Sequence, residues 1–121
     1  MNINPVKTSR VNGLVTSGTP TVVLAKPGTL ITAILSVKAT ARFIKFYDTD
    51  QTPTIADTPV FIIYMPAAGV PPVLWFGEQG FPFRKGIAFR MATNGIDNDA
   101  TYTSFAADDS CITCVYQEGN P

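Results

Sequence analysis

The chain reads as an all-β protein, an antiparallel two-sheet β-sandwich with jelly-roll character, and three observations predict it. Runs rich in β-branched and aromatic residues, such as residues 30–38, 42–47, 60–65 and 87–91, have the length of strands. Each is cut off by Pro, Gly, Asn or Asp, the residues that build turns. No stretch carries the period of an amphipathic helix. At 121 residues the chain suits one domain with a single core.

Taken in order, residues 1–12 are polar, contain Pro5 and show no period. They are expected to form an extended N-terminal arm, docked on a neighbouring subunit, with residues 13–121 as the sandwich domain. Residues 14–16 and 21–25 are the first candidate strands. Lys26, Pro27, Gly28 and Thr29 place Pro and Gly where a type II turn wants them. In the run 30–38, Ile31, Ala33, Leu35 and Val37 alternate with Thr32, Ile34, Ser36 and Lys38, so the odd positions are expected inward. The run 42–47 sets Ile44 and Phe46 on one face and Phe43, Lys45 and Tyr47 on the other.

A long polar loop, residues 48–59, precedes the run 60–65, which is apolar on both faces. Residues 66–69 turn the chain into 70–76, where Pro71 and Pro72 cannot donate ladder hydrogen bonds and so argue for a sheet edge. Residues 77–80 turn again before Phe81, Pro82 and Phe83. The run 86–93 alternates Ile87, Phe89 and Met91 with Arg90 among small residues. After a polar stretch to about residue 110, the run 111–117 closes the sheet, for about eight strands in all. The expected core includes Ile31, Leu35, Ile44, Phe46, Ile62, Ile87, Phe89 and Cys114.

Composition narrows function more by exclusion than by motif. Charged residues are only 15% of the chain, against about 25% in an ordinary soluble domain, and a surface so poor in charge often has somewhere to be buried. Net charge is zero, but Lys7, Arg10, Lys26, Lys38, Arg42 and Lys45 all precede the first acid, Asp48. Beyond Arg90 every charge is acidic. That asymmetry suits contacts between copies or docking of the basic half on an acidic surface, unless folding interleaves the halves. The basic residues form no cluster, which argues against nucleic acid. No apolar run reaches bilayer length, and the N-terminus lacks the apolar stretch of a secretory signal.

Catalysis is not expected. Histidine is absent, and eight of the nine acids sit in turn or tail segments where water keeps them ordinary, so no nucleophile and base can be assembled. No glycine-rich phosphate cradle precedes a helix, and no cofactor or small-molecule substrate is expected. Cys111 and Cys114, three apart in a strand, point to opposite faces and are read as reduced and buried. Asp97 and Asp99, with Asp108 and Asp109, could offer oxygens to Ca²⁺ from two loops. Asp at this density more often hydrogen-bonds its own backbone in turns. Trp75, Phe76, Phe81 and Phe83 are the densest aromatic group, able either to plug one open end of the sandwich or to fill a protein interface. With Lys7 and Arg10 they are the candidate interface residues.

The run of segments from Phe43 onward (Phe-Ile-Lys-Phe-Tyr-Asp-Thr-Asp-Gln-Thr-Pro-Thr, then Asp-Thr-Pro-Val-Phe-Ile-Ile-Tyr-Met-Pro-Ala-Ala-Gly, then Phe-Pro-Phe-Arg-Lys-Gly-Ile-Ala-Phe-Arg-Met-Ala-Thr-Asn-Gly) resembles small β-sandwich capsid cement or decoration proteins of tailed bacteriophages. The likeness spans residues 43–116 and leaves the N-terminal part outside it. The resemblance implies a homo-oligomer, a dimer or trimer, made in the host cytoplasm and bound to the outer surface of the virion capsid. There it would brace neighbouring major capsid proteins, with no membrane or nucleic acid as partner. The rival expectation is a carbohydrate- or receptor-binding module of a tail or surface fibre, with an aromatic platform at Trp75 and Ca²⁺ held by Asp97 and Asp99.

Overall fold

The structure, a computed structural model, describes residues 5–12, 21–37, 42–54, 56–65, 73–92 and 110–119. Among these residues there are nine strands and no helix: β1 (Val6–Asn12), β2 (Thr21–Leu24), β3 (Gly28–Val37), β4 (Arg42–Asp48), β5 (Phe61–Met65), β6 (Val73–Trp75), β7 (Phe81–Phe83), β8 (Ile87–Ala92) and β9 (Ser110–Glu118). Every pairing is antiparallel. One sheet has the order β1-β9-β3-β6, with β7 also on β3, and the other has the order β2-β8-β4-β5. The two-sheet β-sandwich expected from the strand-length runs is the observed fold.

β6 and β7 lie end to end along one side of β3. Trp75 faces Thr32 and Val73 faces Ile34, while Phe81 faces Leu30 and Phe83 faces Gly28. The amide of Phe76 donates to the Ile31 carbonyl at 2.9 Å, so the two pieces form one interrupted edge strand. Counted as one, they leave eight strands, which move between the sheets in the jelly-roll order. Pro82 stands in this edge strand, where a missing N–H breaks no ladder. The interruption is the turn at residues 77–80, closed by Gly80 N–H donating to the Gly77 carbonyl at 3.2 Å. Gly80 has φ +73°, and a Cβ there would run into the Thr29 methyl and the Leu30 carbonyl.

The opposite side of β3 pairs with β9 from Gly28↔Glu118 to Val37↔Ser110, and the register slips once, between Leu30 and Thr32. That β-bulge corrects the expected facing of the strand. An extra residue at Ile31 resets the alternation, so Leu30, Ala33 and Leu35 are fully buried while Ile31 is only half-buried. On β5 the inward residue is Ile63, paired with Ile44, and not Ile62, which pairs with Lys45 on the other face. The remaining expected core residues, Leu35, Ile44, Phe46, Ile87, Phe89 and Cys114, are buried between the sheets. Gly28 begins β3 and has no positive φ, so the expected type II turn does not form. Its lack of a side chain answers a close approach instead, since a Cβ there would lie 2.8 Å from the Gln117 carbonyl oxygen.

The N-terminal segment also differs from expectation. Val6–Asn12 is the edge strand of the first sheet, in register with β9 from Val6↔Gln117 to Asn12↔Cys111. Its polar sequence hid this, because an edge strand at the margin of a core needs little apolar pattern; Val6, Lys7 and Thr8 are all exposed. The candidate strand at residues 14–16 lies outside the described residues. Removing residues 1–12 is therefore expected to lower the thermal midpoint and promote association through the uncovered edge of β9. Scanning calorimetry and light scattering of the truncated chain check this, and an unchanged midpoint would restore the free-arm reading.

Candidate interaction surface

The two outer faces of the sandwich differ. On the second sheet, Lys45 and Arg90 are paired in register across β4 and β8 on the side away from the inter-sheet core. Lys45 is 0% exposed and Arg90 3%, and Tyr47, Ala88 and Ala92 beside them are buried as well. Neither cation is without a partner in the fold. Alanines at 88 and 92 leave room for the two long side chains, and that was the single sequence signal that could have found them. Two like charges opposite each other are ordinarily unfavourable. The burial covers the middle of this face, while at its β5 margin Tyr64 is 52% exposed and packs on Phe43 at 5.2 Å between ring centroids.

The outer face of the first sheet is open. Across β1, β9, β3 and β6 one row runs Thr8, Val115, Thr32, Trp75, and the next holds Thr113, Ile34 and Val73. Trp75 is 68% exposed, Val73 60%, Val6 55% and Ile34 39%. Among the described side chains this face has no charge. Arg10 occupies the β1 position opposite Thr113, and its side chain lies outside the described residues.

The aromatic candidates divide because neighbouring strand residues point to opposite faces. Trp75 faces outward, whereas Phe83 is buried and Phe76 and Phe81 are half-buried against the core. Phe61 on β5 gathers them, with ring centroids 5.4 Å from Phe76, 5.0 Å from Phe81 and 6.4 Å from Phe83, and stacks on Phe46 at 4.9 Å. These rings close the gap between the β6–β7 edge of one sheet and the β5 edge of the other. They hold the sandwich together at that end, and Trp75 alone of the four presents its ring to solvent. Asp97, Asp99, Asp108 and Asp109 lie outside the described residues. No group of three or more metal-ligating side chains is found among the described ones.

Lys7 is placed at the end of the sheet, where its Nζ donates to Glu118 Oε1 at 2.7 Å while Lys26 Nζ reaches Oε2 at 2.9 Å. Bonding to Lys7 and then Lys26 holds the Glu118 carboxyl below the ordinary range, and Glu118 in turn raises the Lys7 ammonium. The basic half and the acidic tail are therefore interleaved here, and Lys7 tethers β1 to its own β9. Cys114 is a buried free thiol, pushed up to about 12 by burial, and is inert as a nucleophile. No helix is long and apolar enough to cross a membrane among the described residues. No family model, curated protein or solved structure matches the chain.

Asp48 ends β4 and caps the turn into β8. Its Oδ1 accepts from the amides of Lys85 at 2.8 Å and Gly86 at 3.3 Å, and its Oδ2 from Arg84 at 3.1 Å. Burial pushes this carboxyl up, but the three amides and the Lys85 charge outweigh it and hold it below its ordinary 3.8. A carboxyl that binds its proton less tightly when folded adds stability above its unfolded value and loses it as pH falls through the folded one. Asp48→Asn is expected to cost about 1 kcal/mol at neutral pH, a figure reduced for the site's partial exposure. Melts of both proteins should converge as pH drops below the ordinary carboxylate range, and a gap that persists there would show that charge is not what the turn needs.

Proposed function

We propose that the chain is a non-catalytic structural protein of a bacteriophage virion, which binds the outer surface of the capsid and braces neighbouring major capsid proteins. The observation that carries this reading is the outer face of the first sheet, which presents Trp75, Val73, Ile34 and Val6 to solvent without a charge among its described side chains, whereas the second sheet exposes Tyr64 alone among its described large apolar residues and hides Lys45 and Arg90. An exposed apolar patch on a rigid sheet is a protein-binding feature. The resemblance of residues 43–116 to capsid decoration proteins supplies the class of partner. Each copy that touches several shell subunits gains effective concentration, so modest single contacts suffice.

One observation favours a second reading, a carbohydrate- or receptor-binding module of a tail or surface fibre: the exposed ring of Trp75. Jelly rolls serve both viral capsids and lectins, so fold leaves the choice open. Sugar sites set polar groups beside the ring to orient hydroxyls. Here the outward neighbours of Trp75 on its own and the adjoining strand are Val73, Thr32 and Ile34, which suit packing better than sugar recognition.

Purified protein mixed with expanded shells lacking it is expected to bind, to saturate at a stoichiometry set by icosahedral symmetry, and to raise the temperature the shells survive. Because the described side chains of the contact surface carry no charge, the completed complex should resist added salt. Binding to glycans with no uptake by bare shells would overturn this reading in favour of the second.

A further inference from the structure

β1 is lightly held for a strand of seven residues. Among the described strands it lies on β9 alone, with none on its other side. Val6, Lys7 and Thr8 are exposed and Ser9 is half-buried, and no described side chain of β1 joins the core between the sheets. What holds it is the backbone ladder from Val6↔Gln117 to Asn12↔Cys111 and the ion pair of Lys7 with Glu118 at 2.7 Å. We propose that β1 exchanges between copies: the edge of β9 takes the Val6–Asn12 strand of a second chain in place of its own.

An element held by hydrogen bonds at the margin of a core opens at a lower free energy than the core itself. Opening here withdraws no described β1 side chain from between the sheets. Lys7 and Ser9 fall on one face of the strand and Thr8 on the other, so β1 is polar on both. That pattern specifies a pairing weakly and permits exchange.

The fold itself selects the occupant. The β9 edge already takes one sequence, seven residues in antiparallel register with a lysine set against Glu118, and a second copy carries that same sequence. Exchange makes each of these contacts again between chains, so the closed and exchanged states differ in chain entropy and not in bonding. Residues 13–20 join β1 to β2, and the link from Asn12 to Thr21 can reach roughly 30 Å, enough for a copy lying alongside. Tethered β1 meets its own β9 at an effective concentration of order millimolar, so closed monomers prevail in dilute solution and exchange grows as copies crowd toward that density. The donated strand fills the same place in the sheet, and the outer face keeps its form.

Thr8 and Val115 stand opposite each other across β1 and β9, which makes them a trap for the exchanged strand. Chains carrying Thr8→Cys and chains carrying Val115→Cys, both with Cys111→Ser, are mixed at about 0.1 mM under mild oxidation. Peptide mapping reads which thiols have joined. Cys114 is buried and stays out of the reaction. A single chain carrying both Thr8→Cys and Val115→Cys closes on itself and shows that the pair bonds in the native register.

The mixture is expected to give a heterodimer joined at positions 8 and 115, about tenfold faster than Thr8→Cys mixed with Thr113→Cys, a position two residues out of register and beyond disulfide reach. Equal rates in the two mixtures, or no heterodimer where the double variant closes, would overturn the proposal. Hydrogen exchange on the unaltered chain tests it without any cysteine: β1 amides should open while those of β4 and β8, central in the second sheet, stay protected. Equal protection in β1, β4 and β8 would overturn it too. Neither measurement involves a shell, so a failure here leaves the decoration reading standing, and exchange without uptake by bare shells would count against that reading alone.

Discussion

The rest of the structure depends on β3 and the single bulge within it. β3 pairs with β9 along one side and with the broken β6–β7 strand along the other, so it sets the register of the whole first sheet. Side chains alternate across a strand, and a one-residue slip would exchange the core and solvent faces. The extra residue at Ile31 makes that slip within the strand itself, turning Leu30 inward below the bulge and Ala33 and Leu35 inward above it. Opposite the bulge the edge strand also breaks, at the turn of residues 77–80, with Gly80 laid against Thr29 and Leu30. The bulge thus completes the core on one side and sets Thr32 and Ile34 beside Trp75 and Val73 on the other.

Burial of cations in the middle of the second sheet's outer face changes the distribution of charge over the surface. Lys45 and Arg90 are withdrawn from solvent, and Lys7 and Lys26 are engaged by Glu118. Three of the six cations that the linear sequence gathers into a basic half, Lys7, Lys26 and Lys45, are therefore neutralised locally or hidden. Under the proposed function, a partner would be held by shape and apolar area at one sheet face and not by these cations. The ion pairs of Lys7 and Lys26 with Glu118 sit at the sheet's end, away from the open face, whose described side chains carry no charge.

The aromatic group shows how fold and candidate site grow from the same local sequence. Trp75 and Phe76 are adjacent, so a strand that directs one outward must direct the other inward. Phe76 then joins Phe81, Phe83 and Phe61 in closing the sandwich, and the rigidity of that packing fixes the strand that carries Trp75. Exposed residue and core residue are thus neighbours at one short edge strand. The surface feature is as well anchored as the core that supports it.

The sequence by itself determined the fold class, most strand positions, and the edge placement of the proline-bearing strand, because alternation, β-branching and turn chemistry act within a few residues of chain. It also determined that Leu35, Ile44, Phe46, Ile87, Phe89 and Cys114 belong inside. Tertiary structure alone decided the bulge at Ile31, the edge strand made from Val6–Asn12, and the burial of Lys45 and Arg90. Each of these depends on which strand lies alongside, a choice made between residues as distant in sequence as Val6 and Gln117. For the same reason the open face was illegible beforehand. Val6, Thr32, Ile34, Val73, Trp75 and Val115 are scattered over four runs of the chain, and only the order β1-β9-β3-β6 assembles them into one surface.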